Sequence, residues 1–346
     1  MKKKVTIQDI ADELGVSRNT VSKAINNSEG LAEATRERVL QKAVEMGYKQ
    51  FSYVSSLTRT TSLIKESASE STGFVGEIAL FTTVFLSQSH FASLMLDKFQ
   101  REITQLGYTL NTHRITAEDI QAGTLPVTFV PERCSGIICI EMFDRAYDGM
   151  LCELGIPILF VDGPVRYDGS SLPADQLYMD NTTAVIRFIR EMLRRGFRKI
   201  GWIGSYDHCQ SFFERYAAYR STLFMANVPV EEKYVVNTND SAEMKAALCA
   251  AGELPDVFLC ANDFIACDCL RVLSELGKKV PADVRLCGFD DSPESRIVFP
   301  ELTTIHIHTQ VMAYSAAHLL ISRIREPSLD LRTIYTETEL VFREST

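Results

Sequence analysis

From Phe74 onward, short apolar runs alternate with stretches of helical periodicity, and no other pattern in this sequence restricts its fold as strongly. The runs VGEIALF, GIICI, PILFV, KIGWIG, DVFLCA and VRLCGF are almost continuous in apolar residues. They read as strands buried on both faces, the mark of a parallel sheet. Amphipathic segments lie beside them, among them 91–106, 182–195, 243–251 and 264–276. Strands alternating with helices imply an α/β, doubly wound architecture. About 270 residues of this alternation exceed one small sheet, so two lobes are expected.

Residues 1–49 follow a different rule and read as three short helices. Thr6, with Asp9 three residues on, forms a capping box for the first. Ile7, Ile10, Ala11 and Leu14 fall at helical spacing and make one apolar stripe. Gly15 can take the positive φ that ends this helix in a sharp turn. Ser17 caps the second helix, whose core side carries Val21, Ala24 and Ile25. The third is expected over 33–46, buried through Val39, Leu40, Ala43 and Val44 and stopped by Gly47. Residues 50–72 are rich in Ser and Thr, whose hydroxyls compete for backbone hydrogen bonds, and read as a linker that orders on binding.

Charge is divided along the same boundary. Residues 1–65 hold 11 Lys and Arg against 7 Asp and Glu, a net +4, while the rest holds 25 against 38, a net −13. A small basic reader joined to an acidic body fits this asymmetry, and only the reader should approach nucleic acid. No run reaches the ~18 apolar residues of a membrane span. The start MKKKVTIQDI has no apolar core of a signal peptide, so a cytoplasmic protein is expected. The nine cysteines include no C-x-x-C pair and read as small buried hydrophobes in a reducing compartment. Cys267-x-Cys269 with His306-x-His308 lacks the spacing of common zinc frameworks, so no metal is expected. G-x-G-x-x-G, P-loop, G-x-S-x-G and H-E-x-x-H patterns do not occur. Neither a cofactor nor an enzymatic activity is expected. The neighbours His208 and Cys209 are poorly placed for a nucleophile pair on a strand or helix.

On the second helix Asn19, Ser22, Lys23 and Asn26 share the face opposite the apolar stripe, with Arg18 at its start. Arg and Lys donate to guanine edges, and Asn pairs with adenine in two directions at once. Helix N-termini at Thr6 and Ser17 suit phosphate contacts. The helix–turn–helix spacing and the basic local charge favour a DNA-reading face over a merely solvated one.

TIQDIADELGVSRNTVSKAINN and the following TRERVLQKAVEMGY resemble the DNA-binding segment of the LacI/GalR (lactose-repressor/galactose-repressor) family of bacterial transcription repressors. GIPILFVDG, MDNTTA, RRGFRKIGWIG, Arg215-x-x-x-Tyr219, LCANDFIACDCLRVLSELGKKVP, RLCGFDDSP, LTTI and LVFREST extend the likeness in family order. The resemblance implies that Arg18, Asn19 and Lys23 read the major groove. It gives Thr6, Ser17, Ser22, Asn26 and Tyr48 backbone contacts and makes Leu57 the residue that wedges into the minor groove. Gln50, Phe51 and Val54 depart from the family's usual hinge, and Ala32 stands where a Ser often caps the third helix.

The sensor region resembles the periplasmic sugar-binding fold, two doubly wound lobes around a cleft. By this likeness 1–49 is the DNA-binding domain, 50–72 the hinge and 73–346 the effector-binding and dimerisation domain. The N-lobe is expected over about 73–195 and 309–328, and the C-lobe over about 196–308 and 329–346. Asp180, Asn262 and Asp290 each follow a predicted strand, and Arg215 opens a helix after one. These match the family's effector-binding Asp, Asn, Asp and Arg, whose carboxylates, amide and guanidinium suit sugar hydroxyls. Apolar walls are expected from Phe91, Phe212, Phe213 or Phe264. The reading is of a homodimeric repressor of operator DNA, switched by a sugar or sugar derivative. A sugar-binding sensor without operator specificity is the alternative, and the complete polar face of the second helix argues against it.

Overall fold

The computed structural model describes residues 6–25, 31–32, 35–36, 38–39, 42–43, 46, 74–84 and 90–346. It separates into two compact units, the larger comprising Gly76–Thr104 and Tyr108–Thr346.

In the smaller unit, α1 (Ile7–Leu14) begins at the expected capping box. The Asp9 N–H donates to Thr6 Oγ1 at 3.3 Å, and the Thr6 N–H donates back to Asp9 Oδ2 at 2.7 Å. Gly15 closes the helix at φ 65°, a conformation that costs roughly 1–2 kcal/mol for a residue with a Cβ. The Thr20 N–H then donates to Ser17 Oγ at 3.0 Å as α2 (Arg18–Ile25) begins. Ile10, Ala11, Val21 and Ala24 form a dry core with Val39 and Ala43. The described positions between 35 and 43 are helical, as expected of the third helix. Leu40, Val44 and Gly47 lie outside the described residues.

The larger unit contains two parallel sheets. Chain order runs β1 (Gly76–Thr82), α3 (His90–Gln105), β2 (Tyr108–Arg114), α4 (Ala117–Ala122), β3 (Cys134–Ile140), α5 (Arg145–Cys152), β4 (Ile158–Val161) and β5 (Asp175–Met179). There follow α6 (Thr183–Arg194), β6 (Ile200–Ile203), α7 (Gln210–Met225), β7 (Val235–Val236), α8 (Ser241–Ala251), β8 (Val257–Cys260) and α9 (Asp263–Glu275). The last elements are β9 (Arg285–Cys287), α10 (Glu294–Ile297), β10 (Thr304–Ile307), α11 (Thr309–Arg325), β11 (Thr333–Thr336) and β12 (Thr338–Val341). The first sheet has the order β11-β5-β4-β3-β1-β2 and the second β7-β6-β8-β9, with β10 and β12 paired antiparallel beside it. Isolated bridges Cys287–Thr303 and Asp290–His306 join that pair to β9 and the residues after it. All six apolar runs of the sequence are strands, each buried along most of its length.

The sheet pairing moves two of the expected lobe limits. Residues 333–336 were assigned to the C-lobe, yet β11 pairs in parallel with β5 in the first sheet. Residues 183–194 were assigned to the N-lobe, yet α6 packs on α7 and β12. Both errors have one cause: the chain changes sheets inside polar stretches that carry no apolar break. It passes between the sheets after β5, after β10 and after β11.

A buried ion network fixes the last return. Asp175, fully buried, accepts from Arg323 Nη2 at 3.0 Å and from the Arg332 N–H at 2.8 Å. It thereby ties β5 to α11, which covers β3, β4 and β5, and to the approach to β11.

Candidate functional site

The polar face of α2 is placed as the sequence led one to expect. Arg18 and Asn19 are exposed, and Ser22 and Lys23 are half-buried. Val21 and Ala24, on the opposite side, are sealed in the core. Thr6 and Ser17 are both helix caps, so their hydroxyls hold the two N-terminal turns in register. Asn26, Tyr48 and Leu57 lie outside the described residues.

The second site forms where strand ends of both sheets converge, the position at which doubly wound folds bind ligands. From α7, Arg215 extends inward with a side chain only 4% exposed. Its Nε donates to Asn181 Oδ1 at 2.9 Å and its Nη1 to the Ala261 carbonyl at 2.7 Å. The Asp290 carboxylate stands 3.8 Å from Nη1, and the Phe289 ring centroid 3.5 Å from the guanidinium carbon. Arg215 therefore gathers residues that follow β5, β8 and β9. Asp162, just past β4, accepts from the Ser211 N–H at 3.2 Å and closes the other side. The Gln210 N–H donates to the Gly163 carbonyl at 2.9 Å, binding the start of α7 to the same loop.

Arg215 and Asp290 thus come together as expected, whereas two partners expected beside them are otherwise engaged. Asp180 Oδ1 accepts from the N–H groups of Thr182 and Thr183 at 2.9 and 3.0 Å and caps α6. Asn262 Oδ1 accepts from the Ile265 N–H at 3.0 Å and caps α9. The first N–H groups of a helix have no partners of their own and claim such side chains. Asn181, one residue beyond Asp180, makes the contact with Arg215 instead. The sequence reading missed Asn181 and Asp162, although Asp162 ends the run PILFV as Asp290 ends RLCGF. Phe91 falls within α3, but its side chain lies outside the described residues. Phe212 is buried near the Arg215 guanidinium. Phe213 instead meets Tyr167 edge to face at 5.8 Å, and Phe264 is exposed at the start of α9.

Burial dominates the electrostatics here. It holds the Asp290 carboxyl well above the usual range, only partly offset by Arg215. It likewise raises Asp162, against hydrogen bonds from Gly163 and Ser211. The His208 ring, 5.0 Å from Phe143 and 5.3 Å from Phe212, is lowered by burial and favours its neutral form. Burial pushes the adjacent Cys209 thiol far up, so a thiolate nucleophile is disfavoured. Asp263 and Asp291 serve the second sheet. Asp263 accepts from Thr304 Oγ1 at 2.6 Å and from the Ser292 N–H at 2.8 Å. A Cβ on Gly288 would come 2.1 Å from Asp263 Oδ1, so the chain has room only for glycine there. Asp291 pairs with Arg296, Arg343 and His306. No described helix is long and apolar enough to cross a membrane.

Comparison with known proteins finds a family match in each part of the chain. The family described as "Bacterial regulatory proteins, lacI family" matches residues 6–50, and "Periplasmic binding protein-like domain" matches 189–346. The HTH-type transcriptional regulator CelR of Thermobifida fusca is 28% identical, with 99% of each chain covered. The HTH-type transcriptional repressor PurR of Mannheimia succiniciproducens is 26% identical over 98% of each. Among solved structures, a transcriptional regulator CelR–cellobiose complex superposes with a TM-score of 0.68 at 24% identity, covering 99% of this chain and all of that one. The lac repressor dimer bound to operator and the anti-inducer ONPF gives 0.66 at 21% identity, covering 99% of each.

Proposed function

We infer, from the premise that this chain belongs to the lacI family of bacterial regulatory proteins, that it is a transcription repressor whose hold on operator DNA is set by a sugar-like effector. The relatives are transcription regulators along their full length, not enzymes. One observation carries the reading to this chain. A nearly buried Arg215 binds Asn181 and the Ala261 carbonyl, with Asp290 beside it, at the strand ends where such folds take ligands. Donor and acceptor side by side suit a hydroxyl, which needs both.

In this reading α2 enters the major groove, with Arg18, Asn19 and Lys23 on base edges and Thr6, Ser17, Ser22, Asn26 and Tyr48 on the backbone. Leu57 sits in the linker 50–72. A homodimer presents two such units at the spacing of a two-fold operator. Effector binding between the two sheets changes their relative angle and, through the linker, the population competent for DNA. Coupling of about 1–3 kcal/mol gives roughly 5–150-fold control.

The test is fluorescence anisotropy with the DNA upstream of the gene itself, titrated with a sugar panel. Salt-sensitive binding that prefers this DNA to bulk duplex, altered by one sugar, is the expected result. Equal affinity for all duplexes, whatever sugar is added, overturns it.

A further inference from the structure

Arg215 and its chain neighbour Glu214 are joined through a third side chain, Asn181, which follows β5 and is fully buried. Asn181 Oδ1 accepts from Arg215 Nε at 2.9 Å. Its Nδ2 donates to Ser211 Oγ at 3.2 Å and to Glu214 Oε2 at 2.9 Å. The Ser211 hydroxyl donates in turn to Met179 Sδ at 3.3 Å, which leaves its oxygen to accept. A primary amide accepts at one end and donates twice at the other, so every polar group of Asn181 is used. With a guanidinium at its oxygen and a carboxylate at its nitrogen, the amide has one favourable orientation.

Glu214, only 14% exposed, is held on its other side by the first sheet. Its Oε1 accepts from Gln210 Nε2 and from the Tyr335 hydroxyl, each at 3.0 Å, and Arg166 Nη2 stands 3.5 Å away. Tyr335 belongs to β11, where its ring stacks on Tyr178 of β5 at 5.4 Å. Arg166 lies in the loop between β4 and β5. At the far end of Arg215, Nη1 donates to the Ala261 carbonyl, just past β8 of the second sheet. The guanidinium is therefore fixed at two points, one from each sheet. Among the described residues nothing hydrogen-bonds to its Nη2, which is the donor left for a ligand.

We propose that Asn181 is the positioning residue of the effector site and Glu214 its anchor, the pair fixing the plane of Arg215 so that Nη2 meets one hydroxyl of the effector. This inference rests on the effector reading of the cleft and deepens it. A guanidinium already fixed loses no rotamer freedom when a sugar arrives, and its plane selects the hydroxyl it can reach. Because Asn181 and Ala261 follow strands of different sheets, a change in the angle between the sheets turns the guanidinium and alters its grip. Asn181→Asp replaces the donor with a carboxylate that faces Glu214, a contact between like charges. Adding Glu214→Gln to it restores a donor at that contact while an oxygen remains for Tyr335 and Gln210.

The experiment is calorimetric titration of the full chain. Thermal melting first finds which of glucose, galactose, ribose, cellobiose and lactose stabilises the wild-type protein. The dissociation constant of that sugar is then measured for the wild type, Asn181→Asp, Glu214→Gln and the double variant, with a urea midpoint for each. Asn181→Asp should bind about tenfold weaker, the loss expected when one charge-assisted contact is misaligned. The double variant should return to within about threefold of the wild type. Should Asn181→Asp not fold, Glu214→Gln alone, which sets donor against donor whichever way its amide turns, should bind about threefold weaker, and the double variant tighter than it. A pair that only supports the fold would move the urea midpoints and leave the dissociation constant of the folded protein unchanged. That result, or a double variant no tighter than the single variants, overturns the inference and leaves the effector reading standing. Silence of the wild type with every sugar overturns both.

Discussion

The guanidinium carbon of Arg215 lies 3.5 Å from the centroid of the Phe289 ring, and the next residue, Asp290, holds its carboxylate 3.8 Å from Arg215 Nη1. One side chain therefore joins α7 to the end of β9 through a ring face and a charge together. Arg215→Ala leaves Asp290 without its cation and Asn181 without its donor. Removing one partner of a buried pair costs about 3–5 kcal/mol. Arg215→Lys keeps the charge but not the planar fork. Both variants should lose the effector response, and Lys should retain more stability. Urea denaturation and operator anisotropy separate the two effects, and an Ala variant with a full effector response would place the ligand elsewhere.

Asp175 should be an acid-sensitive anchor. Burial alone would raise its carboxyl, but hydrogen bonds from Arg323 and Arg332 outweigh burial and hold it below the usual range. A carboxyl lowered on folding stabilises above its unfolded value, about 3.9. That contribution is lost as pH falls through the lower, folded value. Asp175→Asn should therefore cost about 3–5 kcal/mol at pH 7 and progressively less below pH 4. Urea midpoints measured from pH 3 to pH 7 for both proteins check this; a constant gap would refute it.

Asp148 should behave in the opposite sense. It is fully buried on α5, and neither carboxylate oxygen has a hydrogen-bond partner among the described residues. Burial, with Asp144 nearby, pushes its carboxyl up to about 8. Between about 4 and 8 the unfolded chain has lost the proton that the folded chain keeps, so stability declines as pH rises. Asp148→Leu should gain about 2 kcal/mol at pH 8 and less at pH 4. Thermal melts of both proteins across that range read the difference directly.

Lys23→Ala and Arg18→Ala should each weaken operator binding by about 1–3 kcal/mol while leaving effector binding intact. Gly15→Val should act differently, by straining the turn between α1 and α2. Its loss of operator affinity should track a lower melting temperature of the DNA-binding unit. Equal operator affinity in the Lys23 and Arg18 variants would remove them from the reading face.

Most of the fold was legible because buried parallel strands are apolar from end to end, and every such run became a strand. β2, YTLNTHR, was invisible for the same reason. It sits at the edge of its sheet, buries only Tyr108 and His113, and is largely polar. TIYTETELV reads as one stretch, yet at Glu337 the chain leaves the first sheet for the antiparallel β10–β12 pair. Of the four polar cleft residues chosen from the sequence, Arg215 and Asp290 meet. Asp180 and Asn262 turn back to cap helices, a competition that spacing cannot decide. Asp162 escaped notice because VDG reads as an ordinary turn, and only the fold shows what that turn adjoins.

β11 also sets a schedule for synthesis. Asp175, the first residue of its partner β5, is made 157 residues before Arg332, which leads into β11. Throughout that interval the nascent first sheet presents a bare edge to other chains, an invitation to intermolecular pairing. A premature stop anywhere before Thr333 therefore does more than shorten the tail. It leaves that edge permanently open, and such fragments should be found in aggregates or bound to chaperones.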